Sequence, residues 1–402
     1  MKNLSKEARR SIIILIFSTF LICLGISIVI PVTPFIKREY GYSTTDMGIM
    51  TALFALAQFI TSPIVGRISD KMGRKPMMAL GLFLYMISEL IFAMSNTLWL
   101  FNFSRIIGGI SAGMFVPTSM AMAADMTSIK DRAKVIGWIS ASFSGGLIMG
   151  PGIGGVLASF SYKTPFWAAS ALGLISTIFL IIFLPSKTPR PDGITEEESL
   201  ESRGQKSSIM SILNRPMVIF FSMILVSAFG LQLFESIYSI YVNQVFNFSL
   251  NNIALVLVLN GVISLFLQVA LFDFLVRKLT EIRLIRWCFL LGAVCVLWIV
   301  LAHSKVEVFI ATLVIFSAFD LLRPAITTLL TKFGDDNQGL INGVNMSLTS
   351  VGNIIGPIIA GMLMDRNTHY PYIFAAIMLI ISFLVTFTVN SVIKNSNQIS
   401  KQ

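Results

Sequence analysis

Apolar positions along this chain come in long blocks, neither alternating nor confined to one-sided stripes. Twelve blocks follow one another between about residue 11 and residue 393, each close to the roughly 20 residues a helix needs to cross the hydrocarbon of a bilayer. The ten-residue alternation of a barrel strand is absent, so α-helices are the only way these blocks can satisfy their backbone groups in lipid. Connections are short except at 185 to 215, where Pro185, Pro189, Pro191, Glu196, Glu197, Glu198 and Glu201 cluster with several Lys and Arg. That stretch predicts a flexible charged cytoplasmic linker. It divides an all-α membrane protein into an N-terminal bundle of six helices (1 to 184) and a C-terminal one (216 to 402).

The two halves resemble each other in sequence. The run from Ser144 through Gly150 and Pro151 aligns with Ser350 through Gly356 and Pro357, and Gly155 continues onto Gly361. Tyr42 and Ser43 pair with Phe248 and Ser249 at the same offset, and Gly137 with Gly343. A parallel duplication of six spans predicts two bundles related by an axis along the membrane normal, with a substrate site near the midplane.

Hydrophobic residues make up 55% of the chain and charged ones only 12%, which agrees with a membrane protein. A formal net charge of +10 invites a nucleic-acid reading, but the placement of the charge argues against it. With both termini inside, the inner segments carry 23 Lys and Arg, the outer loops carry five, and Arg105 and Arg323 lie within spans. This asymmetry is an orientation signal, and no compact basic patch remains for DNA or RNA. The first apolar block is too long for a signal-peptide core and reads as the first helix. Cys23, Cys288 and Cys295 all fall in spans, so no disulfide framework is implied.

The loop Gly66-Arg67-Ile68-Ser69-Asp70-Lys71-Met72-Gly73-Arg74-Lys75-Pro76 resembles the signature loop of the major facilitator superfamily. Ser104 to Gly109 in span four and Gly150-Pro151-Gly152-Ile153-Gly154-Gly155 in span five are similar to further motifs of its twelve-span drug:proton antiporters. The run Phe234 to Tyr241, with Phe319 to Pro324, narrows the likeness to quinolone and multidrug exporters. The resemblance covers essentially the whole chain. It implies the major facilitator fold, alternating access, the bacterial cytoplasmic membrane, and export of amphipathic drugs driven by protons. A monomer is expected, with no cofactor, no metal and no nucleic acid.

Charges at bilayer depth cost several kcal/mol and usually line a pathway. Glu235 has no basic residue three or four positions away, which suits a carboxyl that takes up and releases a proton. Asp320 and Arg323 are three apart and can pair on one helix face. By resemblance, Asp320 contributes to proton coupling and Arg105 relays or tunes protonation. Each charge has a plainer reading as a structural tie between helices, and buried Glu89 is a weak candidate that nothing places in a cavity.

In the signature loop, Gly66 and Gly73 permit tight turning, Asp70 can sit against Arg74 or a helix N-terminus, and Lys75 adds charge to the gate or merely sets topology. The second half offers only a degraded counterpart in Asp273, Arg277 and Lys278, without paired glycines. Gly146, Gly150, Gly154 and Gly155 allow close helix approach and Pro151 favours a kink. By resemblance these five mark antiporters, and ordinary packing explains them as well. For a drug pocket, Phe143, Phe234, Tyr238 and Phe316 are candidate walls, and Gln58, Gln232 and Asn345 candidate polar anchors.

Enzyme-like strings do not hold. Gly109-Ile110-Ser111-Ala112-Gly113 lacks the strand-turn-helix setting of a nucleophile elbow, and Gly150 to Gly155 follows no strand. His303 and His369 are too few for a convincing metal site. Two other readings stay open: a facilitator or importer of a metabolite such as a sugar or lipid, and a membrane receptor that no longer transports.

Overall fold

The computed structural model describes residues 6–127, 129–185, 215–333 and 338–399. Among these every regular element is helical and none is a strand. The chain runs α1 (Lys6–Ile28), α2 (Thr33–Tyr40), α3 (Thr44–Met72), α4 (Arg74–Met94), α5 (Leu98–Asp125), α6 (Ile129–Ala158) and α7 (Thr164–Phe183). It continues with α8 (Arg215–Phe246), α9 (Leu250–Phe266), α10 (Phe272–Leu279), α11 (Glu281–Leu301), α12 (Lys305–Phe333), α13 (Gln338–Arg366) and α14 (Tyr370–Ile399).

Among the described residues, eleven spans meet the length and hydropathy needed to cross a membrane. The first joins α1 and α2 through a 3₁₀ turn at Ile30–Val32, where Pro31 and Pro34 interrupt the α-helical ladder. Another joins α9 and α10 through the π-helical turn Leu267–Leu271. The remaining anticipated span is α12, which carries Asp320 and Arg323 midway. The linker anticipated at 185 to 215 lies almost wholly outside the described residues.

Helix breaks follow backbone chemistry. Gly41 ends α2 with a left-handed φ of 69°, and Gly73 separates α3 from α4 with φ 95°. Gly66, by contrast, lies inside continuous α3 with open space where a Cβ would stand, so the tight turn belongs to Gly73 alone. Pro151 sits within α6, whose helix continues through it.

The chain forms two compact units. The first holds the chain through Tyr42, Leu53 to the end of α7, and Leu250–Val258; the second holds Ser43–Ala52, α8 through Ser249, and everything from Leu259 onward. Helices α3 and α9 are therefore each shared, contributing their first turns to one unit and the rest to the other.

Within the first unit α1 packs closely along α6. A Cβ on Gly146 would stand 2.6 Å from the Phe20 carbonyl oxygen, one on Gly150 2.8 Å from that of Leu24, and one on Gly154 would strike the Ile28 carbonyl. The second unit repeats the device: a Cβ on Gly352 or Gly356 of α13 would stand 2.9 Å from Ala228 or 2.8 Å from Gln232 of α8. Glycine where backbones touch is what membrane helices use to pack without a hydrophobic driving force, and its recurrence agrees with the internal duplication.

Candidate functional site

In the second unit α8 and α12 bring two acids together. Glu235 is left uncovered by protein while Phe234, Ile237 and Tyr238 around it are buried, so α8 turns its packed face inward and its acid away. The charges of Glu235 and Asp320 lie close enough to repel. Asp320 is half-buried; the Ser264 hydroxyl of α9 reaches its carboxylate, Gln268 donates to Ser264 at 2.9 Å, and Asp320 Oδ2 has no protein partner. Two like charges on neighbouring helices within a span disfavour each other's ionised form.

The expected Asp320–Arg323 pair is not formed. Ion pairs form instead between Arg74 and Asp70, Arg74 and Asp125, and Arg105 and Glu89. Three positions on a helix are some 60° apart in projection, and Arg323 is exposed while Asp320 turns toward Ser264. The sequence spacing permits the contact without requiring it.

The anticipated aromatic walls are placed differently from expectation. Phe234, Tyr238 and Phe316 are buried, with ring centroids 5.2 to 5.8 Å apart, and Tyr372 of α14 joins Phe234 at 5.2 Å. They form a packed aromatic core between α8, α12 and α14 and so present no open surface. Phe143 is half-buried against the core of the first unit. Gln58 and Gln232 are half-buried, and Asn345 donates weakly to Thr327 at 3.4 Å. A separate cavity of about 550 Å³ in the second unit is lined by Ile263, Leu267, Trp287, Leu313 and Leu321 among others; it is almost purely apolar and includes none of the anticipated drug contacts.

The signature loop is built as an ionic knot. Arg74 is buried and binds Asp70 at 2.5 Å, Asp125 at the end of α5 at 3.0 Å, and Ser69 Oγ at 2.6 Å. Of the two partners open to Asp70, Arg74 is one that it uses. Lys75 donates to the carbonyls of Ile181 at 2.8 Å and Leu184 at 2.5 Å, where its positive charge suits the C-terminus of α7. Asp125 was not anticipated; its only sequence signal is an acid closing an apolar block.

Arg105 is occupied by a partner sixteen positions away. Its Nη2 donates to Glu89 Oε1 at 2.9 Å and to Ser104 Oγ at 3.3 Å, and the guanidinium lies 4.7 Å from the Phe92 ring centre. Glu89 thus moves from a weak candidate to the counter-charge of Arg105. A Cβ on Gly155 would stand 2.8 Å from Ala254, within the first unit.

Duplicated helical bundles with carboxylates at mid-span define a membrane transporter. The chain belongs to the Major Facilitator Superfamily, which matches over residues 15–316 and 224–402. It is 40% identical over 373 residues to Multidrug resistance protein 1 of Bacillus subtilis, covering 93% of this chain and 94% of that one. It is 35% identical over 362 residues to the Quinolone resistance protein NorA of Staphylococcus aureus, covering 90% and 92%. A bacterial homolog of the human lysosomal transporter Spinster superposes with a TM-score of 0.80 at 16% identity over 96% of this chain and 98% of that one. The resemblance read from the signature loop and the glycine motifs is thereby borne out.

Proposed function

We propose that this chain exports amphipathic, often cationic drugs across the bacterial cytoplasmic membrane in exchange for protons, by alternating access and without a cofactor. The observation that carries the reading is the Glu235 and Asp320 pair: two acids on separate helices of one unit, one uncovered and one half-buried, close enough for their charges to repel. The relatives named for multidrug and quinolone resistance support the substrate class. Protonation weakens the pair's hold on a cationic drug, and deprotonation restores it. Arg323, unpaired with Asp320, is free to adjust the local field. Gln58 and Phe143 of the first unit and Gln232 and Asn345 of the second are the proposed drug contacts; Phe234, Tyr238 and Phe316 stiffen the helices of the second unit. The signature-loop knot at Asp70, Gly73, Arg74 and Lys75 holds the inner end of the first unit. Gly146, Gly150, Pro151, Gly154 and Gly155 keep its helices close. The carrier works as a monomer with both termini cytoplasmic.

The test is Glu235→Gln in everted vesicles. Gradient-driven drug efflux is expected to disappear while membrane insertion is kept. Wild-type rates in the variant overturn the role of Glu235.

A further inference from the structure

Among the buried polar atoms of the first unit without a hydrogen-bond partner, two belong to one ion pair and a third lies in its field: Glu89 Oε2, Arg105 Nε and Tyr85 Oη. Tyr85 and Glu89 are one turn apart on α4 and so share a face, with side chains 1% and 2% exposed. Arg105 reaches them from α5, and the Tyr85 hydroxyl lies in the field of both charges. An ion pair taken out of water is offset only when its remaining hydrogen-bonding capacity is also used. Here one carboxylate oxygen and one guanidinium N–H are left over, which calls for an explanation.

Fastening α4 to α5 does not supply one, because that is already done without charge. The Ser88 hydroxyl donates to the Ser104 carbonyl at 2.7 Å, and the Ser104 hydroxyl donates back to the Ser88 carbonyl at 2.9 Å. These residues immediately precede Glu89 and Arg105 in sequence, so the ion pair duplicates a tie that two serines make at lower desolvation cost.

We propose that Glu89 is a proton-binding site of the first unit, additional to Glu235 and Asp320, with Arg105 as its counter-charge. The proton goes onto Oε2, the oxygen that Arg105 leaves free, within the electrostatic reach of the Tyr85 hydroxyl. Arg105 then keeps Ser104 Oγ and the Phe92 ring while losing the full charge of its partner, so the guanidinium has a place in both states. The titratable groups around Glu89 are Tyr85 on its own helix, Arg105 on α5 and, behind Tyr85, Cys23 on α1. Helix α7, which also packs on α4, presents Gly173 and Ser170 there. A carboxyl with one committed and one free oxygen binds and releases a single proton without dismantling the helix pair. Its part in transport rests on the proton coupling proposed above; its protonation does not.

The experiment is infrared difference spectroscopy of the purified full chain in lipid, acid minus alkaline, reading the C=O stretch of protonated carboxylic acids. Glu89→Gln is expected to remove one band, distinct from those lost in Glu235→Gln and Asp320→Asn. Tyr85→Phe, which keeps the ring and its packing, is expected to shift that same band. A difference spectrum unchanged in Glu89→Gln, or in Tyr85→Phe if the first variant fails to fold, overturns the proposal and leaves a structural pair. If the Glu89 band is present and Glu235→Gln retains gradient-driven efflux, the transport reading falls while the protonation site stands.

Discussion

Thr280 is a β-branched residue at φ 67° and ψ 155°, between α10 and α11. Its place in the second half corresponds to that of Gly73, which adopts φ 95° and ψ 153° between α3 and α4. The same break is thus made twice, once by a residue that takes this backbone freely and once by a residue that is strained in it. Positive φ at an extended ψ costs a side-chain-bearing residue of order 1–3 kcal/mol. Thr280→Gly should therefore raise the thermal unfolding midpoint of the purified protein, an outcome checked by a melting curve in detergent or lipid. Gly73→Thr should lower it. In the sequence the second half shows only a lack of paired glycines; the retained turn is hidden there because glycine is favoured at that position but not strictly required. Asp125 and the Glu89–Arg105 partnership were hidden for a different reason. A side chain's partner across a helix pair depends on how the helices are rotated about their axes, which spacing within one block does not encode.

At the scale of the element, the glycines of α6 divide into those that touch and those that do not. A Cβ on Gly150 would meet Ser27 Oγ, and the same hydroxyl donates to the Gly146 carbonyl at 3.1 Å. Gly150→Ala must push α1 and α6 apart or displace that bond, and overpacking of this kind costs about 1–3 kcal/mol. Gly137, on the same helix, has open space at its Cβ position, so Gly137→Ala should be neutral or stabilise by roughly 0.5–1 kcal/mol. The pair of variants, compared by thermal denaturation, separates packing from mere helix propensity. The first turn of α3 shows a second dependence. Ser43 and Asp46 cap it reciprocally, with Ser43 N–H donating to Asp46 Oδ2 at 2.9 Å and Asp46 N–H to Ser43 Oγ at 3.0 Å. The Asp365 carboxylate of α13 takes the Thr44 and Thr45 N–H groups at 2.8 Å each. Replacing Asp365 with Ala leaves both amides without a protein acceptor and should cost about 0.5–2 kcal/mol of local stability. Faster hydrogen exchange at Thr44 and Thr45, with α6 unchanged, is the expected reading.

For the whole molecule, the twelve blocks, the duplication and the membrane class were legible because burial in lipid demands long uninterrupted apolar runs. Less legible was the boundary between units, since α3 and α9 each serve both and no break in hydropathy marks where they change allegiance. Orientation is a third matter, carried by charge rather than by contacts. On the proposed orientation, which the imbalance of 23 inner to five outer Lys and Arg supports, the connection around Gly73 is expected in the cytoplasm and the connections around Ser161 and Asn367 outside. The native thiols Cys23, Cys288 and Cys295 are free and buried, so labelling background from them should be low. Single cysteines at Ser161 and Asn367 should react in intact cells with a membrane-impermeant maleimide, and one at exposed Lys71 should react only after permeabilisation. Reaction of the Lys71 cysteine from outside would invert the assigned topology. It would also put the Asp70–Arg74 knot on the face from which drugs are released, removing the inner-end role assigned to it.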